Sequence, residues 1–322
     1  MSDLSTGALF GLSLLVTVIP ITLYVVMVWR LDIYEREPLK LLILAFFWGA
    51  VPSALLAIII SSVLSVPLTL LPEQYYQMAT ASLVAPPVEE AVKGLALVGL
   101  YLWAREEFDD ALDGVIYGSL IGFGFSLSEN VLYLMDATSS LQEWAAVAFG
   151  RGVIFGLNHA MFTSFTGAAL GIALGVSGRG RRTAIVLAGY LLAMGAHFGH
   201  NFLLSISQGI WLSLLANSVG LAVILMIVGW SWWRERHWIA DGLAPEVGSG
   251  TLTTSQYEAI RSRRRKRDDS NKPDRAWERF YRAAVELAFA KQRQKREHPG
   301  PSEQVDTLRT RLTAARDALD QA

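Results

Sequence analysis

Apolar residues run through the first two thirds of the chain in stretches longer than ordinary core helices need. A helix requires about 20 mostly apolar residues to cross the hydrocarbon of a bilayer. The stretches 8–29, 40–64, 79–103, 114–134, 146–176, 183–206 and 210–233 meet that length. Beyond residue 233 the pattern changes: 274–295 and 302–320 mix apolar and charged positions with a helical period and read as short amphipathic helices. The pattern predicts an all-α fold. It is a polytopic transmembrane helix bundle of about seven spans over residues 1–233, followed by a soluble, partly helical tail over 234–322. The third stretch carries Pro86-Pro87, and proline lacks an N–H and clashes with the preceding turn. That helix is expected to kink, or to restart at Pro86 and leave 71–85 as a separate outer or re-entrant segment.

Charge gives the bundle a direction. Of the 28 Lys and Arg, nine lie in 1–233 and nineteen in 234–322. The connections 30–40, 104–113 and 177–182 carry Arg and Lys, and so does the tail; the alternate connections 65–78, 135–145 and 207–209 carry none. By the positive-inside rule the N-terminus is expected outside and the C-terminus in the cytoplasm. Trp103, Trp230, Trp232 and Trp233 fall at expected inner ends, and Trp144 and Trp211 near outer ends, as interface belts do. The block Arg-Ser-Arg-Arg-Arg-Lys-Arg at 261–267 is a candidate for contact with anionic lipid, at about 1 kcal/mol per cation. The plainer reading is a stop-transfer signal with a solubilising tail. No nucleic-acid fold is recognisable. The chain has no cysteine, so disulfides, thiolate zinc sites and cysteine nucleophiles are excluded.

Four polar clusters interrupt the apolar stretches: Glu89-Glu90 with Lys93, Phe125 through Glu129-Asn130, Arg151 with Asn158-His159, and His197 through Asn201. A charge at the bilayer centre costs about 2.5–3.5 kcal/mol on insertion scales, so such residues mark functional sites by default. With the third and fifth spans running inward, Glu89, Glu129, His159 and His197 lie roughly 15, 8, 20 and 14 Å from the outer ends of their spans, at about 1.5 Å per residue. They are expected in one layer open to the outer side. Helical spacing puts Glu89 and Glu90 within reach of Lys93, Phe125 on the face of Glu129, His159 on that of Thr163, and His197 on that of Asn201.

The absences narrow the chemistry. There is no H-E-x-x-H zinc motif, no Gly-x-Ser-Gly of a serine intramembrane protease and no Gly-x-Gly-Asp of an aspartyl one. What remains is carboxylate, imidazole, amide and cation. A desolvated carboxylate can act as general base, an imidazole can share its proton, and an Asn or His donor can hold an oxyanion. The set suits water-mediated amide hydrolysis. It equally suits a proton-coupled transporter or membrane sensor. No cofactor is expected; if a metal is bound, Zn²⁺ on a subset of Glu89, Glu90, Glu129, His159 and His197 is the alternative.

In order and spacing, Glu89-Glu90-x-x-Lys93, Phe125-x-x-x-Glu129-Asn130, the His159–Thr163 segment with upstream Arg151, and His197-x-x-x-Asn201 resemble the motifs of PrsW-type intramembrane proteases. Tyr34-Glu35-Arg36-Glu37-Pro38 resembles a further family feature, and the likeness spans about residues 24–205. It implies a multi-pass endopeptidase of the bacterial cytoplasmic membrane. Its implied substrate is a single-span protein of the anti-sigma-factor kind, cut near the outer face. The family is related to the CAAX prenyl proteases of the Abi group, which have His where this chain has Glu129. On this basis Glu89, Glu90, Glu129, His159, His197 and Asn201 are the expected catalytic set, supported by Lys93, Phe125, Arg151 and Thr163. Glu89 is expected to activate water, His159 or Glu129 to shuttle its proton, and His197 with Asn201 to hold the oxyanion.

Overall fold

The computed structural model describes residues 5–105, 107–262, 275–297 and 302–321, and all regular structure in them is helical. The helices are α1 (Thr6–Trp29), α2 (Leu39–Trp48), α3 (Ala54–Leu64), α4 (Glu73–Ala79), α5 (Ala85–Trp103), α6 (Ala111–Asp136), α7 (Leu141–Phe149), α8 (Asn158–Leu174), α9 (Arg179–Leu204), α10 (Gly209–Gly248), α11 (Thr254–Arg261), α12 (Arg275–Glu297) and α13 (Glu303–Asp320). The chain divides into two compact units, residues 1–32 with 37–228 and residues 33–36 with 229–322.

In the first unit, α6 and α8 are the centre: 83% and 78% of their apolar windows are buried, against 17–33% for the other candidate spans. Their backbones meet through small residues. Gly114 lies against Gly167, Gly118 against Thr163 and Ser164, and Gly122 against His159 and Ala160. A methyl group at Gly122 would overlap the His159 carbonyl. This small-xxx-small stripe lets two helices approach closely in lipid. It also sets His159 two turns along from the position of Glu129. The surrounding helices expose large apolar side chains such as Leu15, Leu23, Ile59, Leu192 and Met226, a surface suited to lipid. The protein is a multi-pass membrane protein.

Six helical stretches among the described residues are long and apolar enough to cross a membrane: Thr6–Trp29, Leu39–Leu64, Ala111–Asp136, Leu141–Leu174, Arg179–Leu204 and Gly209–Gly248. The remaining expected span, the third, corresponds to α5, 19 residues long, whose Glu89, Glu90 and Lys93 lower its apolar content and are all buried. It does not restart at Pro86. A π-helical turn over Thr80–Val84 joins α4 to α5, and the two prolines sit in the first turn of α5, where a missing N–H is tolerated. The fifth expected span is broken. A π-helical turn over Gly150–Ile154 follows α7, residues 155–157 leave the helix, and α8 begins at Asn158. A third π turn, Gly49–Ser53 with Pro52 inside it, joins α2 to α3.

Each π turn presents a carbonyl to a side chain from another helix. Ser128 donates to Ala50 O, Asn201 Nδ2 to Ala81 O at 2.8 Å, and the Tyr24 hydroxyl to Gly152 O at 3.1 Å. Irregular backbone at membrane depth is tolerated where protein satisfies it, and single π turns recur at functional sites. In the loop before α2, Glu37 is buried; its N–H donates to Asp32 at 2.8 Å and its carboxylate accepts from Tyr117.

The second unit packs the end of α10 with α11, α12 and α13 around Leu243, Phe280, Leu287 and Leu312. Glu246 there is held by Lys291 at 2.5 Å and by Arg309, whose Nε and Nη2 donate at 3.0 and 3.1 Å. Arg316 donates to the carbonyls of Gly250 and Thr251 just after α10 ends. The expected tail helices 274–295 and 302–320 are α12 and α13. Residues 263–267 of the basic block lie outside the described residues.

Candidate active site

Five elements of the first unit bring the ionisable side chains together. The i, i+3 and i, i+4 spacing on α5 aims both carboxylates at Lys93. Lys93 Nζ lies 2.5 Å from Glu90 Oε1 and 3.9 Å from Glu89 Oε2, and is fully buried. Glu90 is also held by His197 Nδ1 of α9 at 3.0 Å and by the Thr163 hydroxyl of α8 at 3.2 Å. Its oxygens are therefore satisfied. Glu89 differs: its Oε2 is sealed from solvent and has no hydrogen-bond partner. The nearest cation is Lys93, and His197 Nε2 stands 3.8 Å away. A buried, unpaired carboxylate oxygen is unfavourable and asks for an explanation such as a water or an ion.

A second group lies one helix over. Arg151, on the π turn before α8, donates to Glu129 of α6 and, from Nε, to Asn130 Oδ1 at 2.8 Å. Its guanidinium stacks 3.8 Å from the Tyr133 ring. Because α8 starts in mid-span, its second residue His159 reaches Glu129, with Nε2 at 2.6 Å. His159 Nδ1 lies 3.2 Å from Lys93 Nζ, so this imidazole links the two groups. Phe125 fills the corner between them, with Lys93 4.4 Å above its ring and His159 tilted against it at 5.2 Å. Every residue expected from the sequence except Asn201 thus belongs to one contiguous network. Asn201 is at its edge, with Nδ2 spent on the Ala81 carbonyl.

With all five groups counted as ionised, Glu89, Glu90 and Glu129 face two cations, Lys93 and Arg151, which leaves one negative charge inside the bundle. A proton or a divalent cation at Glu89 would offset it. Ligand atoms of Glu89, His159 and His197 lie within 4.8 Å of one another. Two imidazoles and a carboxylate are a ligand set of catalytic zinc, and the unclaimed Glu89 Oε2 suits it. His197 is prepared as a ligand, since Glu90 holds Nδ1 and leaves Nε2 toward Glu89. His159 has both nitrogens engaged, by Lys93 and Glu129, and would release one. The residues present fit such a cation.

A cavity of about 250 Å³ opens beside this network, walled by Glu129, Arg151, Asn158, His159, His200 and Asn201 among others. The Glu89 side chain keeps 10% of its surface open, so the centre is not sealed. His200, inside the His197–Asn201 cluster but outside the expected catalytic set, forms part of the wall; Ser213 and Asn217 of α10, which hold it at 2.7 and 3.1 Å, escape the sequence reading. Their signal was present, a polar pair at i, i+4 on an otherwise apolar stretch.

Residues 37–232 match the family model described as PrsW family intramembrane metalloprotease. The chain is similar to "Protease PrsW" of Geobacillus kaustophilus, 28% identical over 145 residues (42% of this chain and 55% of the relative). It is similar to the protein of that name from Clostridioides difficile, 32% identical over 149 residues (46% and 60%), and from Oceanobacillus iheyensis, 31% over 138 residues (42% and 57%). The chain thus spans a little over half the length of these curated relatives. No solved structure matches it.

Proposed function

The chain belongs to the PrsW family of intramembrane metalloproteases, and we propose that it is a membrane-embedded endopeptidase that hydrolyses a peptide bond at the Glu89 centre. The observation that carries this reading is the buried, unpartnered Glu89 oxygen, with ligand atoms of His159 and His197 close by. Its substrate is a single-span membrane protein of the anti-sigma-factor kind, cut near the outer face of a bacterial cytoplasmic membrane. The N-terminus is outside and the C-terminus cytoplasmic, in keeping with the alternating loop charges.

Glu89 takes a proton from water as the water oxygen attacks the scissile carbonyl carbon. The C–N bond then breaks and the proton passes to the leaving amine nitrogen. Glu90 and Lys93 hold α5 in register with His197, and Thr163 fixes the second oxygen of Glu90. Glu129, itself held by Arg151, orients His159 toward Glu89. Phe125 excludes water from the Lys93–His159 contact. Asn201 secures the π turn ahead of α5 and so the depth of Glu89. Glu89, His159 and His197 would hold a divalent cation. When bound, it supplies Lewis acidity, polarising the carbonyl and making water a stronger acid.

Quantitative membrane proteomics of cells with the wild-type chain and with Glu89→Ala tests the reading. A single-span protein should accumulate in the variant and be cut in the wild type. Identical profiles would contradict it and favour a transporter or sensor using the same groups. Metal analysis of the purified chain, with and without chelator, decides the catalytic type. A stoichiometric metal lost in His197→Ala identifies a metallopeptidase; full activity of metal-free protein identifies carboxylate and imidazole alone.

A further inference from the structure

The geometry points to His200 as the donor that holds the carbonyl oxygen of the scissile peptide, an inference that rests on the protease reading above. An oxyanion needs N–H donors that no other group has claimed. Of the two groups expected in that role, His197 has Nδ1 on Glu90 and its ring is 2% exposed, and Asn201 has one of its two amide N–H groups on the Ala81 carbonyl. Arg151 gives its Nε to Asn130 and an Nη to Glu129. His200 lies on the adjoining face of α9 and lines the cavity together with His159 and Glu129.

The α10 contacts set its tautomer. Ser213 Oγ lies 2.7 Å and Asn217 Nδ2 3.1 Å from His200 Nδ1. The Asn217 amide N–H can only donate, and the Ser213 hydroxyl can turn to donate as well, so Nδ1 accepts and the proton of the neutral imidazole sits on Nε2. Phe155 packs edge-on at 4.7 Å and Phe162 lies at 6.1 Å, which fixes the ring plane. Among the described residues no carboxylate pairs with His200, unlike His159 and His197. It is therefore an N–H donor with no carboxylate partner among the described residues. Asn158 shares the same wall with Nδ2 3.3 Å from both ring nitrogens; in this tautomer it donates only toward Nδ1, and the substrate carbonyl takes its place at Nε2.

The same contacts could serve only as a polar tie between α9 and α10. The two roles separate in a comparison of His200→Phe, which keeps an aromatic ring and loses the N–H, with His200→Gln, which keeps an N–H. The full-length chain is reconstituted with a single-span model protein carrying an epitope tag on each side of its span. Cleavage is measured for wild type, both His200 variants and Glu89→Gln, at matched folded fraction from thermal melts. The donor role predicts that kcat falls about 100-fold in His200→Phe while KM changes less than about threefold, and that His200→Gln recovers to within about tenfold of wild type. If His200→Phe cleaves like wild type once folded fraction is matched, or if Gln is no better than Phe, the donor role is wrong. Loss of cleavage in Glu89→Gln with retention in His200→Phe sinks this inference alone. Retention in Glu89→Gln, or a wild type that cuts nothing, sinks the protease reading and this inference with it.

Discussion

Glu246 in the tail unit and Glu89 in the membrane unit are both carboxylates buried within reach of a lysine. Lys291 and Arg309 close on Glu246 with four donor contacts of 2.5–3.1 Å, so both oxygens are satisfied. Lys93 instead spends its short contact on the neighbouring Glu90 and stays 3.9 Å from Glu89, whose Oε2 is left without a hydrogen bond. The first arrangement is what a stable buried ion cluster requires. The second sacrifices stability to keep a carboxylate available, and folds do so at sites that do chemistry. Burial of charge alone therefore does not mark a site here; an unsatisfied charge among satisfied ones does.

The contrast can be broken by substitution. Glu246→Leu should be the most damaging to folding, since it leaves Lys291 and Arg309 facing each other. Loss of one partner of a buried pair costs about 3–5 kcal/mol, and partial exposure of Arg309 puts this case at about 3. Faster hydrogen exchange across α12 and α13 checks it. Glu89→Gln should leave the melting temperature of the membrane unit unchanged or higher. Next comes Gly122→Ala, whose new methyl meets the His159 backbone. It should destabilise by about 1–3 kcal/mol and reduce cleavage by moving His159. Gly195→Ala, with open space around it, should stabilise by up to about 1 kcal/mol in the same melt. Arg151→Gln frees Glu129 from its clamp while leaving His159 in place. A fall in kcat of about 10–100-fold is expected, as for groups that orient a reacting residue, with Arg151→Lys between it and wild type. Thr163→Val removes one hydrogen bond from Glu90 and should cost about 1 kcal/mol or less in thermal unfolding.

Much of this was legible in the sequence, because membrane helices advertise themselves by length and their polar faces by i, i+4 spacing. The pairs Glu89 with Lys93 and Phe125 with Glu129 do lie in one network. What hydropathy could not show was continuity. Residues 146–176 read as one apolar stretch, yet the helix breaks at 155–157, since apolar content is the same on both sides of a break. The π turns were equally hidden, although Pro52 and Pro86-Pro87 mark where backbone N–H groups are missing. His200 was under-read because its partners, Ser213 and Asn217, sit on a different helix, and spacing within one helix says nothing about its neighbour.

The central claim is that the unsatisfied carboxylate of Glu89 performs the hydrolysis. Its most direct test is cleavage of a single-span protein in proteoliposomes by wild-type and Glu89→Gln chains of equal folded fraction. The account predicts that Gln, which matches Glu in size but cannot accept the proton of water, abolishes the cut. Cleavage at the wild-type rate by Glu89→Gln would contradict it.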